Sequence, residues 1–340
     1  MRQVVIPRYG GPEVLTVREV DDPEPAPDEV RIRVAGAGVN FADISARAGL
    51  YPDAPSPPPM VVGYEVAGEL DRVGKAVDGL AVGDRVIALT RFGGYSDVVT
   101  VPSSQVAKVH VGADLVEAAG IPVTFLTSYV MLNHLGSVRP GDTVLIHSAG
   151  GGVGLSALQL ARNLGAVTIG TASAGKHERL RQHGLDHAID YRTQDFEAEV
   201  LRITGGRGVD VALDAQGGTS FRKSYRCLAP MGRLFCFGLA AGNAPSRGQA
   251  WRTLPKALAT TPVFHPLQLM GANKGVFGVN MGHLWGEQDR IGRFLGELAA
   301  MWERGDIAPV IDSTFPFDRA GQAHEQLGQA RNFGKVVLTP

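Results

Sequence analysis

One glycine-rich segment has the composition of a phosphate-binding loop. Residues 149–154 read Ala-Gly-Gly-Gly-Val-Gly and directly follow the apolar run Thr143–Ala149. A pyrophosphate needs backbone N–H groups that it can approach closely, together with the partial positive charge of a helix amino terminus. A helix is predicted behind the segment, because apolar residues recur at helical spacing from Val153 to Leu164. The residues predicted to bind the pyrophosphate of a dinucleotide are Gly151, Gly152, Val153 and Gly154.

The end of the next predicted strand, Val167–Thr171, indicates which dinucleotide is bound. NAD-specific sites place an acid about twenty residues after the loop, where it holds the ribose hydroxyls. Residues 170–176 read Gly-Thr-Ala-Ser-Ala-Gly-Lys and contain no acid. A hydroxyl and an ammonium would instead bind a 2′-phosphate, so NADPH is the predicted cofactor. The predicted phosphate ligands are Ser173 and Lys176, reinforced by Tyr191 and Arg192; the alternative is that the two cations are ordinary solvated side chains.

The elements around this loop predict an α/β fold with a doubly wound parallel sheet. From about residue 122, apolar runs alternate with helical patterns, which is typical of buried parallel strands joined by crossover helices. The first third instead contains short alternating strands separated by Gly and Pro, which indicates a partly closed barrel. The predicted strands are Val4–Pro7, Leu15–Glu19, Val30–Ala37, Gly63–Val73, Arg85–Leu89, Thr143–Ala149, Val167–Thr171, Ala188–Tyr191, Val209–Asp214, Arg233–Gly238 and Lys335–Leu338.

We expect two domains, with the nucleotide-binding unit inserted into the barrel. The barrel domain is predicted to comprise residues 1–122 and 267–340, and the nucleotide-binding domain residues 123–266. Strand Arg233–Gly238 is predicted to form the far edge of the parallel sheet. An apolar edge of this kind invites pairing with a second copy about a two-fold axis, which predicts a homodimer.

Composition excludes several other classes of protein. The 340 residues carry a net charge of −1, which argues against a nucleic-acid or polybasic membrane-surface protein. No apolar run approaches the length of a membrane span, and acids interrupt the first thirty residues, so we expect no signal peptide. The two cysteines, Cys227 and Cys236, are interpreted as buried thiols in a reducing cytoplasm.

Several motifs resemble those of a known family over nearly the whole chain. They are Ala37-Gly-Val-Asn-Phe-Ala-Asp43, Arg47-Ala-Gly-Leu-Tyr51, Gly63-Tyr-Glu-Val-Ala-Gly68, Gly83-Asp-Arg-Val86, the glycine-rich loop and Gly334-Lys-Val-Val-Leu338. The chain thus resembles the zinc-free quinone oxidoreductase branch of the medium-chain dehydrogenase/reductase superfamily, and residues 268–284 are similar to its vesicle amine transport protein group. The resemblance implies a chaperonin-10-like barrel domain plus a Rossmann domain, with the active site in the cleft between them.

The resemblance also indicates whether the chain binds zinc. The zinc-dependent members of the superfamily hold catalytic zinc with a Cys and a His, and the corresponding positions here are Asn40 and Tyr64. Neither an amide nor a phenol is a good zinc ligand, and two cysteines cannot form a four-cysteine structural site. We therefore expect no metal. Without a Lewis acid an isolated ketone is a poor acceptor, whereas a quinone, enone or enoyl thioester spreads the incoming charge onto its own oxygen.

The resemblance implies the remaining site residues. Tyr51 is the expected donor of a proton or hydrogen bond to the developing enolate, with packing as its alternative role. Asn40 is expected to bond the nicotinamide ribose or the substrate oxygen, with capping of a turn as its alternative role. The other residues expected at the cofactor are Thr127, Phe237, Phe277, Val279 and Asn332.

Three functions remain open at this point. The first is an NADPH-dependent quinone or enone reductase, and the second is a reductase of enoyl thioesters such as acyl-coenzyme A. Arg247, Arg252 and Lys256 could meet the phosphates of such a carrier, or could simply be solvated. The third is a scaffold or sensor protein that binds NADPH with weak activity.

Overall fold

The computed structural model describes residues 1–54, 56–240 and 247–340, and the side chains of all of these except 247–252. The strands of these ranges are β1 (Arg2–Ile6), β2 (Thr16–Glu19), β3 (Glu29–Val39), β4 (Met60–Val61), β5 (Glu65–Val73), β6 (Arg85–Leu89), β7 (Val98–Pro102), β8 (Val106–Lys108), β9 (Thr143–Ile146), β10 (Val167–Ala172), β11 (His187–Asp190), β12 (Val209–Asp214), β13 (Leu228–Cys236), β14 (Gly275–Gly278), β15 (Ile311–Pro316) and β16 (Lys335–Thr339). The helices are α1 (Phe41–Arg47), α2 (Leu115–Ala118), α3 (Pro122–Tyr129), α4 (Gly152–Asn163), α5 (His177–Gln182), α6 (Phe196–Ile203), α7 (Thr219–Arg226), α8 (Arg247–Thr260), α9 (Pro266–Ala272), α10 (Gln288–Glu303) and α11 (Ala320–Gly328).

The described chain forms two compact units. The first, called here the barrel unit, comprises Met1–Leu126 and Met281–Pro340; the second, the sheet unit, comprises residues 127–240 and Gly248–Asn280. Residues 267–280 therefore belong with the parallel sheet, although the sequence placed them with the barrel. The reason is that β14 pairs in parallel with β13. The sequence does not predict this strand, because β14 has only four residues and begins and ends with glycine, which is unfavourable in strands.

The sheet unit is a parallel Rossmann-type sheet with strand order β11-β10-β9-β12-β13-β14. The chain runs from β9 outward to β11 and then returns to the other side of β9. The strand order thus reverses between β9 and β12, and ligands of such sheets bind beyond the carboxyl ends of the strands at this point. The prediction that Arg233–Gly238 forms the edge is wrong, because β14 covers that strand and is itself the edge of the described sheet.

The barrel unit is built mainly from antiparallel strands. One sheet has the order β15-β16-β3-β5-β6-β8 with β7 also paired to β3, and a second has the order β2-β1-β4. An isolated bridge pairs Gln3 of β1 with Ser96, which lies two residues before β7. The final strand, β16, pairs with the end of β3 through the register Val336 to Val39. This pairing brings the carboxyl-terminal strand beside the segment that precedes α1.

Alternation along the strands decides which side chains fill the barrel. Val30, Ile32 and Val34 of β3 are buried together with Val66 and Leu70 of β5. In the sheet unit, β12 is buried along its whole length, as a central parallel strand requires. The two predicted components, a Rossmann-type parallel sheet and a chaperonin-10-like barrel, are therefore both present. None of the helices in the described ranges offers the apolar length that crossing a bilayer would demand.

Candidate active site

The glycine-rich segment forms the turn between β9 and α4. Gly151 caps the helix, and the first helical hydrogen bond runs from the N–H of Leu155 to the carbonyl oxygen of Gly151, at 2.9 Å. The N–H groups of Gly152, Val153 and Gly154 precede that bond and have no acceptor within the helix. Three such N–H groups at a helix amino terminus are the donor set that a pyrophosphate requires. The loop therefore fits the diphosphate of a dinucleotide.

Close packing explains the last glycine of the loop. A Cβ atom on Gly154 would lie 2.4 Å from the carbonyl oxygen of Ser148 and 2.7 Å from the backbone of Ala149. Only glycine lets the helix begin so near the strand that precedes it. The hydroxyl of Ser148 accepts a hydrogen bond from Nε2 of Gln216, at 2.7 Å. Gln216 follows β12, so this bond crosses the point where the strand order reverses; sequence reasoning did not identify Gln216.

The predicted 2′-phosphate ligands lie at one edge of the sheet. Strands β10 and β11 pair with Ala172 opposite Asp190, so the segments that follow them are neighbours. Ser173 and Lys176 are half-exposed there, in a turn where the Lys176 N–H donates to the Ser173 carbonyl oxygen at 2.9 Å. The guanidinium of Arg192 lies 5.9 Å from the centre of the exposed Tyr191 ring. The edge thus presents a hydroxyl, two cations and an aromatic face.

Asp190 also lies at this edge, and its hydrogen bonds explain why it is compatible with the predicted binding of NADPH. Asp190 accepts hydrogen bonds from the backbone N–H of Arg192 at 3.1 Å and from the Thr193 hydroxyl at 3.0 Å. The backbone hydrogen bond lowers the pKa of this carboxyl, which is therefore ionised. Both oxygens are engaged by the turn that follows β11. The carboxylate therefore shapes the turn after β11.

The strands β13 and β14 contribute the other predicted cofactor residues of this unit. Phe237 follows β13, and its N–H donates to the carbonyl oxygen of Asp214 at 3.1 Å. Val279 follows β14, is buried, and its N–H donates to the carbonyl oxygen of Cys236 at 2.9 Å. The ring of Phe277 stacks on Phe235, with centres 5.1 Å apart, so it covers a face of the sheet instead of its carboxyl edge. Phe237 and Val279 instead lie directly beyond the carboxyl ends of β13 and β14.

In the barrel unit, Asn40 belongs to a buried polar network. Its Nδ2 donates to Oε1 of Glu65 at 2.9 Å, and its Oδ1 accepts from Nζ of Lys335 at 2.7 Å. Lys335 also forms a short ion pair with Glu65, and both side chains are almost fully buried. The second oxygen of Glu65 accepts from the N–H of Val123 at 2.7 Å. The network holds the Asn40 amide in one orientation.

This network also bears on metal binding. The Lys335 ammonium lies between the Asn40 amide oxygen and the Glu65 carboxylate, where a divalent cation would be repelled. Within the described residues no three His, Cys, Asp or Glu side chains are grouped as metal ligands would be. The sequence signal for Glu65 and Lys335 was an acid and a lysine, each followed directly by apolar residues of a strand. Such residues are rarely buried unless they are paired.

Tyr51 lies in an aromatic cluster with Tyr64 and Phe92. The centre of the Tyr51 ring is 6.0 Å from that of Tyr64 and 6.4 Å from that of Phe92. Tyr64 and Phe92 are 4.9 Å apart. Burial raises the pKa of Tyr51 and of Tyr64, so both phenols are protonated donors at neutral pH. Sequence reasoning treated Tyr64 only as a lost zinc ligand and did not consider Phe92.

Asp43, on α1, is fully buried. Its carboxylate accepts from the N–H of Asn40 at 2.8 Å, the N–H of Gly63 at 3.0 Å and the hydroxyl of Tyr95 at 3.1 Å. Burial raises the pKa of Asp43 to about 7. The Tyr95 hydroxyl also contacts Nε2 of His324, at 3.0 Å. Asp43 thus connects the helix cap at Asn40 to the loop that carries Tyr64.

Two further predicted cofactor residues are buried. Thr127 lies on α3, within the sheet unit. Asn332 lies in the turn before β16, in the barrel unit, and its Nδ2 donates to the carbonyl oxygen of Gly334 at 2.7 Å. This bond gives Asn332 a part in shaping the turn that leads to Lys335. Its predicted contact with the cofactor stays a prediction.

Two family models match the chain. The model described as "Alcohol dehydrogenase GroES-like domain" matches residues 26–111, within the barrel unit. The model described as "Zinc-binding dehydrogenase" matches residues 183–338. The two matches cover the barrel strands on one side and the later part of the parallel sheet with the closing strands on the other.

Individual relatives match over the full length. The chain is 39% identical to the "Synaptic vesicle membrane protein VAT-1 homolog" of Rattus norvegicus, over 100% of this chain and 84% of that protein. It is 35% identical to the "2-haloacrylate reductase" of a Burkholderia species, over 99% and 98%. Among solved structures, Escherichia coli quinone oxidoreductase complexed with NADPH superimposes with a TM-score of 0.88 at 29% identity, covering both chains completely.

Proposed function

The chain belongs to the medium-chain dehydrogenase/reductase superfamily, and from that premise we propose that it is an NADPH-dependent oxidoreductase acting on a conjugated acceptor, a quinone or an α,β-unsaturated carbonyl. The observation that carries the proposal is the pairing of a dinucleotide loop with an edge that offers Ser173, Lys176 and Arg192 to a 2′-phosphate. The related quinone oxidoreductase that binds NADPH supports the same cofactor.

The sheet unit binds the cofactor. The N–H groups of Gly152, Val153 and Gly154 hold the pyrophosphate, and Ser173 and Lys176 hold the 2′-phosphate through charge-assisted hydrogen bonds. NADPH, when bound, supplies the hydride. Phe237, Val279 and Thr127 are proposed to contact the nicotinamide, with Phe277 and Asn332 as weaker candidates because their side chains already have other contacts.

The barrel unit is proposed to bind the acceptor and to stabilise the charge that reaches its oxygen. Tyr51 is a neutral phenol, so it donates a hydrogen bond, and for an enone a proton, to that oxygen. Asn40 is bonded through both of its amide atoms, which gives it a positioning role beside the reacting groups. The acceptor itself must delocalise charge, because Asn40 and Tyr64 occupy the positions that the resemblance assigns to the zinc ligands of related enzymes, and neither is a good zinc ligand.

The proposal is tested by following NADPH oxidation with a panel of acceptors. The panel contains quinones, simple enones and enoyl-coenzyme A esters, with NADH as the comparison donor. We expect turnover with neutral conjugated acceptors and a clear preference for NADPH. Turnover confined to enoyl-coenzyme A would favour the thioester reductase; Arg247 and Arg252, predicted to meet its phosphates, have side chains outside the described residues. NADPH binding without turnover of any acceptor would favour a scaffold or sensor protein.

Independence from zinc is part of the proposal. Elemental analysis of the purified protein should find well under one zinc per chain, and a chelator should leave NADPH oxidation unchanged. A stoichiometric zinc that the chelator removes together with activity would overturn the choice of conjugated acceptors.

We also propose a homodimer in the cytoplasm. The edge position of β14 in the described sheet supports the homodimer. The two unpaired cysteines, Cys227 and Cys236, support the cytoplasmic location, because thiols stay reduced there. Burial raises the pKa of both thiols to about 12, which keeps them unreactive. Cell fractionation with an antibody to the chain tests the location, and recovery with membranes would contradict it.

A further inference from the structure

One exposed hydroxyl lies between buried residues just after β9. Ser148 is exposed, whereas His147 before it and Ala149 after it are buried. Ser148 has a φ of +54°, in the left-handed region that a residue with a side chain rarely adopts. Its backbone is held there, because its N–H donates to Oγ1 of Thr171 at 3.3 Å and its carbonyl oxygen accepts from the N–H of Gly151 at 2.8 Å. Strain of this kind persists where the surrounding structure imposes it, often at binding sites.

The Ser148 hydroxyl is paired with the side chain of Gln216 at the point where the strand order reverses. Gln216 is half-exposed and follows β12, which lies beside β9 in the sheet. Its Nε2 donates to the Ser148 hydroxyl oxygen at 2.7 Å. Within the described residues, the Ser148 O–H and Oε1 of Gln216 make no other hydrogen bond. The pair therefore presents one donor and one acceptor beyond the carboxyl ends of the two central strands.

Buried hydrogen bonds fix the backbone on both sides of this pair. The Asp214 carboxylate is fully buried and accepts from the N–H of Gln216 and the hydroxyl of Ser224, each at 2.7 Å. The Ser224 oxygen in turn contacts Nε2 of His147, at 2.9 Å. Nδ1 of His147 contacts Oγ1 of Thr171 at 3.1 Å, and this oxygen is the one that bonds the N–H of the exposed serine.

The donors in this chain of hydrogen bonds require a neutral imidazole. Ser224 gives its only hydroxyl proton to Asp214, so it must accept from an Nε2–H of His147. Nδ1 then carries no proton and accepts from the Thr171 hydroxyl. Burial lowers the pKa of His147, which favours the same neutral form. Every bond in the chain thus has a donor and an acceptor, and both of its ends are held in place before any ligand binds.

The position of the pair on the sheet indicates which part of a dinucleotide it meets. The proposed 2′-phosphate ligands follow β10 and β11, the diphosphate loop follows β9, and the residues proposed for the nicotinamide follow β13 and β14. A dinucleotide laid along this edge places the ribose of its nicotinamide half between the diphosphate and β13, beside β9 and β12. Neighbouring strands are about 4.8 Å apart, so one ribose spans this interval.

The two available atoms match a ribose better than a phosphate. A ribose hydroxyl both donates and accepts, so it can donate to Oε1 of Gln216 and accept from the Ser148 O–H. A phosphate oxygen only accepts, and the amide oxygen would repel it. We propose that Ser148 and Gln216 bind the hydroxyls of the nicotinamide ribose and thereby position the nicotinamide. This inference rests on the proposed function and adds two residues to its cofactor site.

Three ligands that share the 2′-phosphate separate the parts of the cofactor. 2′-Phosphoadenosine 5′-diphosphate ends at the diphosphate, 2′-phosphoadenosine 5′-diphosphoribose adds the second ribose, and NADPH adds the nicotinamide. Calorimetry measures their affinities, so no turnover is needed. Gln216→Leu should weaken NADPH and the diphosphoribose about three- to tenfold, the usual worth of one neutral hydrogen bond. It should leave the affinity for the diphosphate unchanged.

A second variant separates ribose binding from an effect on the loop. Ser148→Gly removes the hydroxyl, and glycine adopts a positive φ without strain, so the melting temperature should not fall. We expect a loss of affinity for the two ligands that carry the second ribose, of the same size as in Gln216→Leu. An effect on the loop backbone alone would instead change the affinity for all three ligands alike and would contradict the role of the hydroxyl.

Two further variants serve as controls. Lys176→Glu should weaken all three ligands, because each carries the 2′-phosphate. Gln182→Leu, at an exposed position on α5, removes an amide elsewhere on the sheet unit and should weaken none. Circular dichroism identifies any variant that has lost structure.

The pattern of losses decides the assignment. Equal losses of all three ligands in Gln216→Leu would place the pair at the diphosphate, and a loss confined to NADPH would place it at the nicotinamide ring; either result would overturn the assignment to the ribose. Unchanged affinities in both Gln216→Leu and Ser148→Gly would also overturn it, while the proposed oxidoreductase stands if NADPH still binds and is oxidised. A parent protein that binds none of the three ligands would refute both proposals.

Discussion

At the scale of single residues, pairs of buried polar side chains fix the geometry of the candidate site in the barrel unit. Glu65 and Lys335 would each be costly alone, but together they bond Asn40 and the start of α3. Removing one partner would leave an uncompensated charge, which typically costs about 3–5 kcal/mol. Asp43, three residues after Asn40, accepts a hydrogen bond from the Asn40 N–H. The position of Asn40 therefore depends on two buried carboxylates, those of Asp43 and Glu65.

Lys176 is the residue proposed to select NADPH over NADH. Lys176→Glu should weaken NADPH about ten- to a hundredfold, because a charge-assisted contact is worth roughly 1.5–3 kcal/mol, and it should barely change the affinity for NADH. Fluorescence titration of both cofactors gives the ratio. Arg222→Glu, an exposed site on α7, is the control for net charge alone. Equal losses of both cofactors in Lys176→Glu would assign Lys176 a structural role.

The raised pKa of Asp43 predicts a dependence of stability on pH. Between the unfolded value near 4 and the folded value of about 7, the folded protein binds a proton that the unfolded chain does not. The contribution of Asp43 to the free energy of unfolding therefore falls as pH rises from 4 to 7 and is constant above. Asp43→Asn should be less stable, because its amide cannot accept from all three donors, and should lack this slope.

Urea unfolding of both proteins at pH 5, 6, 7 and 8 tests this expectation. The difference between the two curves cancels other titrating groups such as His324. The free energy by which the parent exceeds the variant should shrink toward pH 8. A constant difference across the range would show that Asp43 does not change its protonation on unfolding there.

At the scale of elements, the geometry of the glycine-rich loop in the sheet unit depends on how closely α4 follows β9. The strand, the loop and the helix are contiguous in sequence, and their spacing places at one point three N–H groups that have no acceptor within the helix. The barrel unit works differently, because its aromatic cluster comes from segments after α1, before β5 and after β6. Pairing of the strands, and not proximity along the chain, brings those rings together.

Gly154, in the first turn of α4, provides the element-scale prediction. Gly154→Ala places a Cβ atom 2.4 Å from the Ser148 carbonyl oxygen, so either the loop or the helix must shift. We expect a loss of about 1–3 kcal/mol in the free energy of unfolding and at least a tenfold loss of NADPH affinity. Gly271→Ala, on α9, meets no atom within 4 Å and should be neutral or slightly stabilising. Retention of full NADPH affinity in Gly154→Ala would contradict the loop geometry.

At the scale of the whole molecule, the proposed homodimer depends on the open edge of the described parallel sheet. In the described sheet β13 is interior and β14 is the edge. The N–H of Val279 bonds to β13, so by alternation along the strand the N–H of Val276 faces outward. A second copy that extends the sheet would pair with this outward side.

We therefore expect a dimer by analytical ultracentrifugation at micromolar concentration. Val276→Pro removes an outward N–H and should shift the protein toward monomer, while Val276→Thr keeps that N–H and the branched side chain and should not. Circular dichroism and NADPH binding confirm that both variants are folded. A monomeric parent protein, or a dimer that the proline does not weaken, would show that β14 is not the interface.

Local features of this protein could be read from its sequence. The phosphate loop, the strands on either side of it and the absence of an acid after β10 depend on residues that are neighbours in the chain. Strands Arg85–Leu89 and Val209–Asp214 have the predicted bounds, because their apolar runs and flanking turns are unambiguous. The family motifs extended the prediction to the barrel.

Long-range pairing decided the rest. The edge position of β14, the ion pair of Glu65 with Lys335, and the meeting of Tyr64 with Phe92 join residues that no local pattern connects. Strand register is set by which apolar faces can be buried together over the whole domain. A residue's type and spacing therefore determined the chemistry available to this chain, and only the tertiary structure determined which of those groups were buried, paired or left without a partner.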